Sequence, residues 1–370
     1  MMWYYKFNQI QQIHFEISNF CNAKCPECPR EDISEIDPDT GINRFSDWID
    51  TQFLSLDIIK KNVNSSTLPW LQSVSFCGCF GDALTHPKLI EILEYLIIEF
   101  PKLTIHISTN GGLKTTDYWT RLARVLTKSH YHEVIWGLDG LEDTNHLYRV
   151  NVKWNKVKAN WQAFNAAGGN STWQFIVFPH NHHQIQEAKQ YAKSEGFTSF
   201  KTVLSMRYSN AKAEELPYEY THPKVSTNED ITFSFENVGN DINLQPIYNS
   251  EPPISLQVLD SDTNKTVTCQ SMKSQEIFLF SDGTVWPCSK LGAWRHPKDY
   301  KSSAIETATN ARYINNLNNF SLEEIFDNSY FKMLFTTHKK NKPCKACVEE
   351  CGQDEQGIVQ TKDYRRIEKL

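Results

Sequence analysis

Six short stretches of the chain carry apolar residues in the manner of β-strands, and helix-like segments separate them. In the first, from Gln12 to Ser18, Ile13, Phe15 and Ile17 alternate with polar residues, the period of a half-buried strand. The next five are Ser73 to Phe76, Leu103 to Ser108, Glu133 to Leu138, Thr172 to Phe178 and Ser199 to Leu204, each rich in β-branched or aromatic residues. Between the second and third, Leu89, Ile92, Leu93, Leu96 and Ile97 recur at helical spacing, and Pro101 closes that helix. Strand followed by helix, repeated in this way, predicts an α/β fold with a parallel sheet and right-handed crossovers. Periodicity leaves two forms open, a doubly wound open sheet and a partial (β/α)6 TIM-like barrel.

Beyond the sixth strand the pattern fails. Residues from about Pro223 to Thr266 are rich in Asn, Ser, Asp and Pro without a sustained period, which predicts a linker or irregular insertion. Order returns at Ile277-Phe278-Leu279-Phe280 and Thr284-Val285-Trp286, two β-rich arms around Asp282-Gly283, a hairpin turn by its residue types. The expected division is 1–222, 223–266 and a smaller α+β unit at 267–370. A loop-like acidic stretch runs from Glu31 to about Asp47.

Charge and hydropathy narrow the partners. The 38 basic and 44 acidic side chains are spread without long runs of one sign, so no footprint for nucleic acid or an anionic membrane is expected. Met1 to Ile10 lacks the apolar core of a secretory signal. Leu89 to Phe100 is too short, and too interrupted by Glu91, Glu94 and Glu99, to cross a bilayer. A cytoplasmic protein is the expectation.

There the ten cysteines point to thiolate or metal chemistry rather than disulfides. Cys21, Cys25 and Cys28 lie in a Pro-containing loop directly after the first strand. A structural zinc site wants a further Cys or His nearby, and residues 29 to 68 contain neither. Three cysteines without a fourth suit a 4Fe-4S cluster with one open iron.

The Cys-x3-Cys-x2-Cys spacing in the loop after a first strand resembles the signature of the radical S-adenosylmethionine (SAM) superfamily, with Glu27 where an aromatic residue is frequent. Gly78-Cys79-Phe80-Gly81-Asp82 resembles that family's Gly-Gly-Glu-Pro segment, with Asp82 and Ala83 in place of Glu and Pro. Ser108 and Asn110 after the third strand, Asp139 after the fourth and Asn181 after the fifth are similar to family positions around the SAM ribose and carboxylate, and Gly137 stands where serine is common. All fall at C-terminal strand ends, where parallel-sheet enzymes assemble their sites. The resemblance favours the partial barrel over about residues 10 to 210. It implies Cys21, Cys25 and Cys28 as catalytic cluster ligands, and Gly78, Cys79, Phe80, Gly81, Asp82, Ser108, Asn110, Asp139 and Asn181 as SAM-binding residues.

Cys269-x13-Gly283-x4-Cys288 followed by Cys344, Cys347 and Cys351 resembles the SPASM and twitch extensions of radical SAM enzymes, which carry auxiliary 4Fe-4S clusters. A full SPASM domain holds two clusters and needs more cysteines than these. One auxiliary cluster on Cys269, Cys288, Cys344 and Cys347 is therefore implied, with Cys351 a spare, a substitute ligand or a thiol near the substrate. A four-cysteine zinc site has the same ligand count. Cys77 and Cys79 are expected as small buried hydrophobes ahead of a catalytic role. His180, His182 and His183 are expected in a solvated loop.

By this resemblance, reductive cleavage of SAM gives a 5′-deoxyadenosyl radical that abstracts hydrogen from a substrate, with electrons from a donor such as flavodoxin or ferredoxin. A peptide or protein side chain is the first expectation for the substrate. The alternatives are a small-molecule dehydrogenase or cyclase and a non-enzymatic metal-stabilised binding protein. The first strand begins near residue 12 and leaves no room before it for a leader-binding domain, which favours a substrate that needs none. The acidic stretch and the Asn-rich insertion are expected substrate walls.

Overall fold

The computed structural model describes residues 5–26, 28, 34–36, 43–45, 52–178, 180–204, 266–267, 269–293, 312–339, 347, 352–353 and 365–369. Cys344, Cys351 and residues 205–265 lie outside them, and with them almost all of the expected insertion. In chain order the strands are β1 Gln12–Phe15, β2 Ser34–Ile36, β3 Asn43–Phe45, β4 Ser73–Phe76, β5 Thr104–Thr109, β6 Tyr131–Gly137, β7 Ser171–Val177, β8 Ser199–Leu204, β9 Thr266–Val267, β10 Glu276–Leu279, β11 Val285–Trp286, β12 Gly352–Gln353 and β13 Arg365–Lys369. Among the described residues, nine of these form one sheet in the order β11-β10-β1-β4-β5-β6-β7-β8-β13.

The six strands read from the sequence all stand in this sheet, in chain order and mutually parallel, with ends shifted by up to three residues. Helices cross between them: α1 Leu56–Asn62, α2 Leu89–Glu99, α3 Thr116–Leu126, α4 Asn145–Tyr148, α5 Trp154–Ala166 and α6 Ile185–Ser194. This is the partial (β/α)6 barrel. The acidic stretch expected as loop contains a small antiparallel pair, β2 with β3, because short polar strands can pair locally without an apolar period to announce them.

Alternation gives the sheet two unlike faces. Ile13, Phe15, Val74, Phe76, Ile105, Ile107, Val134, Trp136, Trp173 and Phe175 are all at most 1% exposed and point to the helix-covered side. There Trp119 of α3 meets Trp136 at a ring separation of 4.5 Å, and Trp161 of α5 meets Trp173 at 5.7 Å. The opposite, inner face carries His14, Ser75, His106, Ser108, Glu133, Thr172, Gln174 and Lys201, mostly half-buried. A filled barrel packs that face with branched aliphatics. Here it is polar, and paired within itself: Glu133 accepts hydrogen bonds from His106 at 3.1 Å and from the Thr172 hydroxyl.

The hairpin expected at Asp282-Gly283 forms, with β10 and β11 antiparallel and Gly283 at φ +84°. It joins the barrel sheet directly, since β10 runs parallel to β1 with His14 opposite Phe278. After it come α8 Ser289–Ala293, then α9 Leu322–Asp327 and α10 Ser329–Lys339, preceded by α7 Gln270–Lys273. Tyr5 is buried against Phe326 and Phe335 at ring separations of 5.8 and 5.7 Å, so the N-terminus ties this second segment to the barrel.

Trp173 is fully buried among Trp161, Phe197 and Phe200, and its indole N–H donates to the Leu138 carbonyl at 2.8 Å. Trp173→Ala is expected to cost about 3–5 kcal/mol in equilibrium denaturant unfolding, the range for deleting a large core aromatic.

Candidate active site

The loop after β1 is tied down on both flanks. Cys28 N–H donates to the Cys25 carbonyl at 3.0 Å, closing a tight turn around Pro26, and Lys24 N–H donates to Val150 O at 3.1 Å. The sulfurs sit among donors: Ala23 N–H and Asn110 Nδ2 point at Cys21 Sγ at 3.4 and 3.7 Å, and Arg149 Nη1 points at Cys25 Sγ at 3.7 Å. The charges of Cys25 and Cys28 are felt at Cys21, and that of Cys28 at Cys25. Burial pushes the Cys25 thiol up to about 12 against the pull of Arg149, and the Cys21 thiol up as well.

The segment after β4 lies on this loop, backbone to backbone. A Cβ at Gly81 would stand 2.0 Å from Ser18 O, and one at Gly78 would stand 2.2 Å from Gly81 O, so only glycine permits the approach. The Glu16 carboxylate fastens it from the β1 side by accepting from Phe80 N–H at 2.7 Å and Gly81 N–H at 3.0 Å. Asp82 fastens it from the other. Its carboxylate accepts from Leu84 N–H, the Thr109 hydroxyl, Asn110 N–H and Asn110 Nδ2, at 2.8 to 3.1 Å. A carboxylate has about four lone-pair sites, so these donors occupy it. Burial raises the Asp82 pKa, and the Asn110 and Leu84 N–H groups oppose that. Asn110 in turn gives Nδ2 to Asn22 Oδ1 at 2.8 Å.

A second network stands behind Cys25. The fully buried Asp139 accepts from Arg149 Nε at 2.6 Å and from Ile176 N–H at 2.7 Å, and burial raises its pKa against the Arg149 charge. Asn181 donates to Asp139 O and Ile176 O, both at 2.9 Å. Gly137 is explained here, since a Cβ would press 2.6 Å from Arg149 Nη2. Arg149 is the residue that sequence reasoning missed. It follows Asp139 by ten positions, just past the short helix α4, and no period or motif marks it.

The predicted residues therefore divide. Asp82 and Asn110 gather at Cys21, and Asp139 and Asn181 gather behind Cys25, whereas Ser108 turns to the inner face and engages the Cys77 thiol. Cys77 and Cys79 are both partly exposed, a correction to the expectation of small buried residues. Strand alternation carries Cys77 to the polar face, and Cys79 sits in the tight segment after it. His180 stacks on Phe178 at 5.3 Å, while His182 and His183 are exposed.

In the second segment, the charges of Cys269 and Cys288 are both felt at the Tyr5 hydroxyl, which donates to Glu276 O at 2.8 Å. Cys288 Sγ accepts from Leu291 N–H at 3.4 Å. Gly352 pairs with Val267 and so fastens the strand that leads into Cys269. Cys347 is buried. The segment reaches the first site, because Cys79 Sγ lies 4.0 Å from the carbonyl oxygen of Ser289, the residue after Cys288.

Among the described residues no three Cys, His, Asp or Glu side chains close around a single ion. Cluster ligands bind different irons and stand further apart than ligands of one ion, and amide and guanidinium donors on the sulfurs are what cluster thiolates use. The Cys21, Cys25 and Cys28 set fits such a group. A model of the radical SAM superfamily matches residues 15–192, and a model described as an iron-sulfur cluster-binding domain, SPASM, matches residues 269–348. The chain belongs to the radical SAM superfamily. Membership of that superfamily, with a SPASM match, implies 4Fe-4S clusters and SAM as its cofactors.

Similar solved structures include SuiB of Streptococcus suis bound to its precursor peptide SuiA, at 14% identity and TM-score 0.47, covering 82% of this chain and 64% of that one. Native anSMEcpe with bound AdoMet and Cp18Cys peptide is similar at 15% identity and TM-score 0.48, covering 95% of this chain and 92% of that one. This chain spans 64 and 65% of the length of the first two SuiB chains. A search of functionally curated proteins gave no match. Among the described residues no helix is long and apolar enough to cross a membrane.

Two outcomes are expected. Asp82→Asn turns an amide N–H2 toward groups that are themselves donors, an unpaired-donor cost of about 1–3 kcal/mol. It should weaken SAM binding about tenfold or more by calorimetric titration while iron content is kept. His86, at the end of the same segment, is buried and neutral, donating from Nε2 to Leu54 O and accepting from Lys88 N–H at Nδ1, both at 3.0 Å. Burial holds its pKa at about 4, below the unfolded value of 6.5, so the unfolded chain takes the proton first. Its contribution is thus present above pH 6.5 and lost as pH falls through about 4, a change of about 3 kcal/mol. His86→Gln should flatten the slope of unfolding free energy against pH in that window.

Proposed function

We propose that Cys21, Cys25 and Cys28 hold the SAM-cleaving cluster and that the substrate is a peptide or protein side chain brought to the inner face of the barrel. The observation that carries the ligand assignment is the set of N–H donors on Cys21 and Cys25, supplied by the loop itself, by Asn110 after β5 and by Arg149 after α4. When bound, the cluster and SAM together supply the hydrogen-abstracting radical. The chain's own part is positional. Arg149, held by Asp139, sets a positive charge beside Cys25, which offsets a buried thiolate and offers a counter-charge at the rim. Asp82 and Asn110 shape that rim, and their polar atoms are largely spent on each other, so the groups left for SAM are chiefly backbone groups of 78–81 other than the Phe80 and Gly81 N–H groups that Glu16 takes.

Cys269, Cys288, Cys344 and Cys347 are proposed to hold one auxiliary 4Fe-4S cluster. Two observations support a role near the substrate. Ser289 approaches Cys79, and Phe278, opposite His14 on the inner face, packs so tightly on α8 that a Cβ at Gly292 would meet its ring at 2.6 Å. An iron-sulfur group held by those cysteines would supply a one-electron acceptor for a substrate radical. A flavodoxin- or ferredoxin-type protein is the proposed electron donor.

Anaerobically reconstituted wild-type protein is expected to hold about eight irons and, with reductant, to convert SAM to 5′-deoxyadenosine. The Cys21, Cys25 and Cys28 triple-Ala variant is expected to keep about four irons and lose that conversion. Undiminished 5′-deoxyadenosine from the triple variant would overturn the catalytic assignment, and one zinc without iron in it would overturn the auxiliary cluster. Incubation with cell extract and mass spectrometry separates the substrate classes, since a peptide-borne mass change supports the proposal and a change confined to small metabolites rejects it.

A further inference from the structure

Register and alternation set two rows of polar side chains on the inner face of β1, β4 and β5. His14 is opposite Ser75, and Ser75 opposite His106. The next inner-facing positions toward the strands' C-terminal ends are Glu16, Cys77 and Ser108, and Cys77 is the residue immediately before Gly78. Its thiol thus stands where the SAM-binding segment begins. His14 Nε2–H donates to the Cys77 carbonyl oxygen, which sets the imidazole beside that residue. Ser108 stands at the neighbouring inner-facing position on β5, where its hydroxyl favours the thiolate. The edge of Phe278 meets the His14 ring, at 4.9 Å and 88°, and holds its plane.

Beside this pair, Glu16 is 1% exposed and only one of its carboxylate oxygens is used. Oε2 finds no donor among the described residues. A buried acceptor left open is costly unless something completes it, and a ligand's N–H or O–H does so.

We propose that Cys77, paired with His14, is a proton acceptor for the substrate, and that the substrate presents an N–H or O–H donor to this wall. The proposal rests on the radical reading above, in which hydrogen abstraction leaves a substrate carbon radical. An O–H or N–H on the radical-bearing carbon is more acidic than in the parent compound. In the step, the bond from that hydrogen to oxygen or nitrogen breaks, its electron pair stays on the heteroatom, and a new S–H bond forms at Cys77. No electron changes hands in this step, and His14 keeps its proton throughout.

The electrostatics agree with the geometry. Burial would raise the Cys77 thiol, but His14 brings it below its ordinary range. Burial would lower His14, but Cys77 raises it to about 9, helped by Glu276 on β10. The other carboxylate facing the pair, Glu16, is pushed by burial up to about 7, so near neutral pH a large share of it is ionised with Oε2 open to a ligand's N–H or O–H. A merely structural thiol would show neither reachability nor this titration.

The test uses the full reconstituted chain and brief, sub-stoichiometric treatment with iodoacetamide between pH 5.5 and 9.5, with labelling at Cys77 read by peptide mass spectrometry. Wild-type Cys77 should label with a midpoint at least one unit below the ordinary thiol value of about 8.5. His14→Gln, which retains a donor for the Cys77 carbonyl but no charge, should label about tenfold more slowly at pH 6.5. Failure to label Cys77 in folded protein, or equal midpoints in the two proteins, overturns the proposal. Should His14→Gln not fold, the wild-type midpoint alone decides, and a value at or above 8.5 overturns it. In the extract assay, Cys77→Ser should give at least about tenfold less product for each 5′-deoxyadenosine formed, because a serine hydroxyl is too weak an acid to stand ionised there. A wild-type ratio also overturns the proposal. Absence of SAM cleavage by the wild-type protein would overturn the radical reading itself, on a readout that alkylation does not share.

Discussion

The carboxylate of Asp82 is the joint on which the site depends. Its own N–H donates to Phe20 O in the cysteine loop, and its oxygens take donors from the segment after β4 and from the end of β5. Three loops that diverge from neighbouring strands are thereby held in one arrangement by a single buried residue, through its backbone N–H and its carboxylate. Charge-assisted hydrogen bonds are roughly twice as strong as neutral ones, and they fix geometry as well as energy. The close approach of Gly78 and Gly81 depends on the same joint, because their backbone contacts persist only if the segment is clamped on both sides, by Asp82 and by Glu16.

The sheet's two faces show why the molecule can be both rigid and open. The outer face is sealed by tryptophans that pack in pairs between strand and helix. That sealing carries the stability. It frees the inner face from acting as a hydrophobic core, so polar residues stand there in self-satisfied groups such as His106, Glu133 and Thr172. A polar lining in an incompletely closed barrel makes room for a substrate that brings its own hydrogen bonds.

Much of this was legible in the sequence. Strand periodicity and the helix at Leu89–Glu99 report local apolar spacing, which survives into the structure because burial follows it. The hairpin at Asp282-Gly283 was readable because its turn needs a positive φ. Long-range pairings were not. Nothing in the spacing said that Arg149 would reach back to Cys25, that Ser108 would turn to Cys77, or that the second segment would add its strands to the barrel's own sheet. Asp82 was picked out as a ligand contact, and its saturation by protein donors appears only once three loops are seen together.

The pairing of β10 onto β1 has a consequence for how the molecule holds together. Without the second segment, β1 would present a bare row of backbone donors and acceptors at the margin of the sheet, beside the cysteine loop it carries. The strand that launches Cys21, Cys25 and Cys28 is an interior strand only because a stretch some 260 residues later in the chain lies against it. A protein made without its C-terminal third would therefore lose more than the cysteines of that segment: it would acquire a sticky edge and begin to self-associate at the very place where the Cys21, Cys25 and Cys28 loop is anchored.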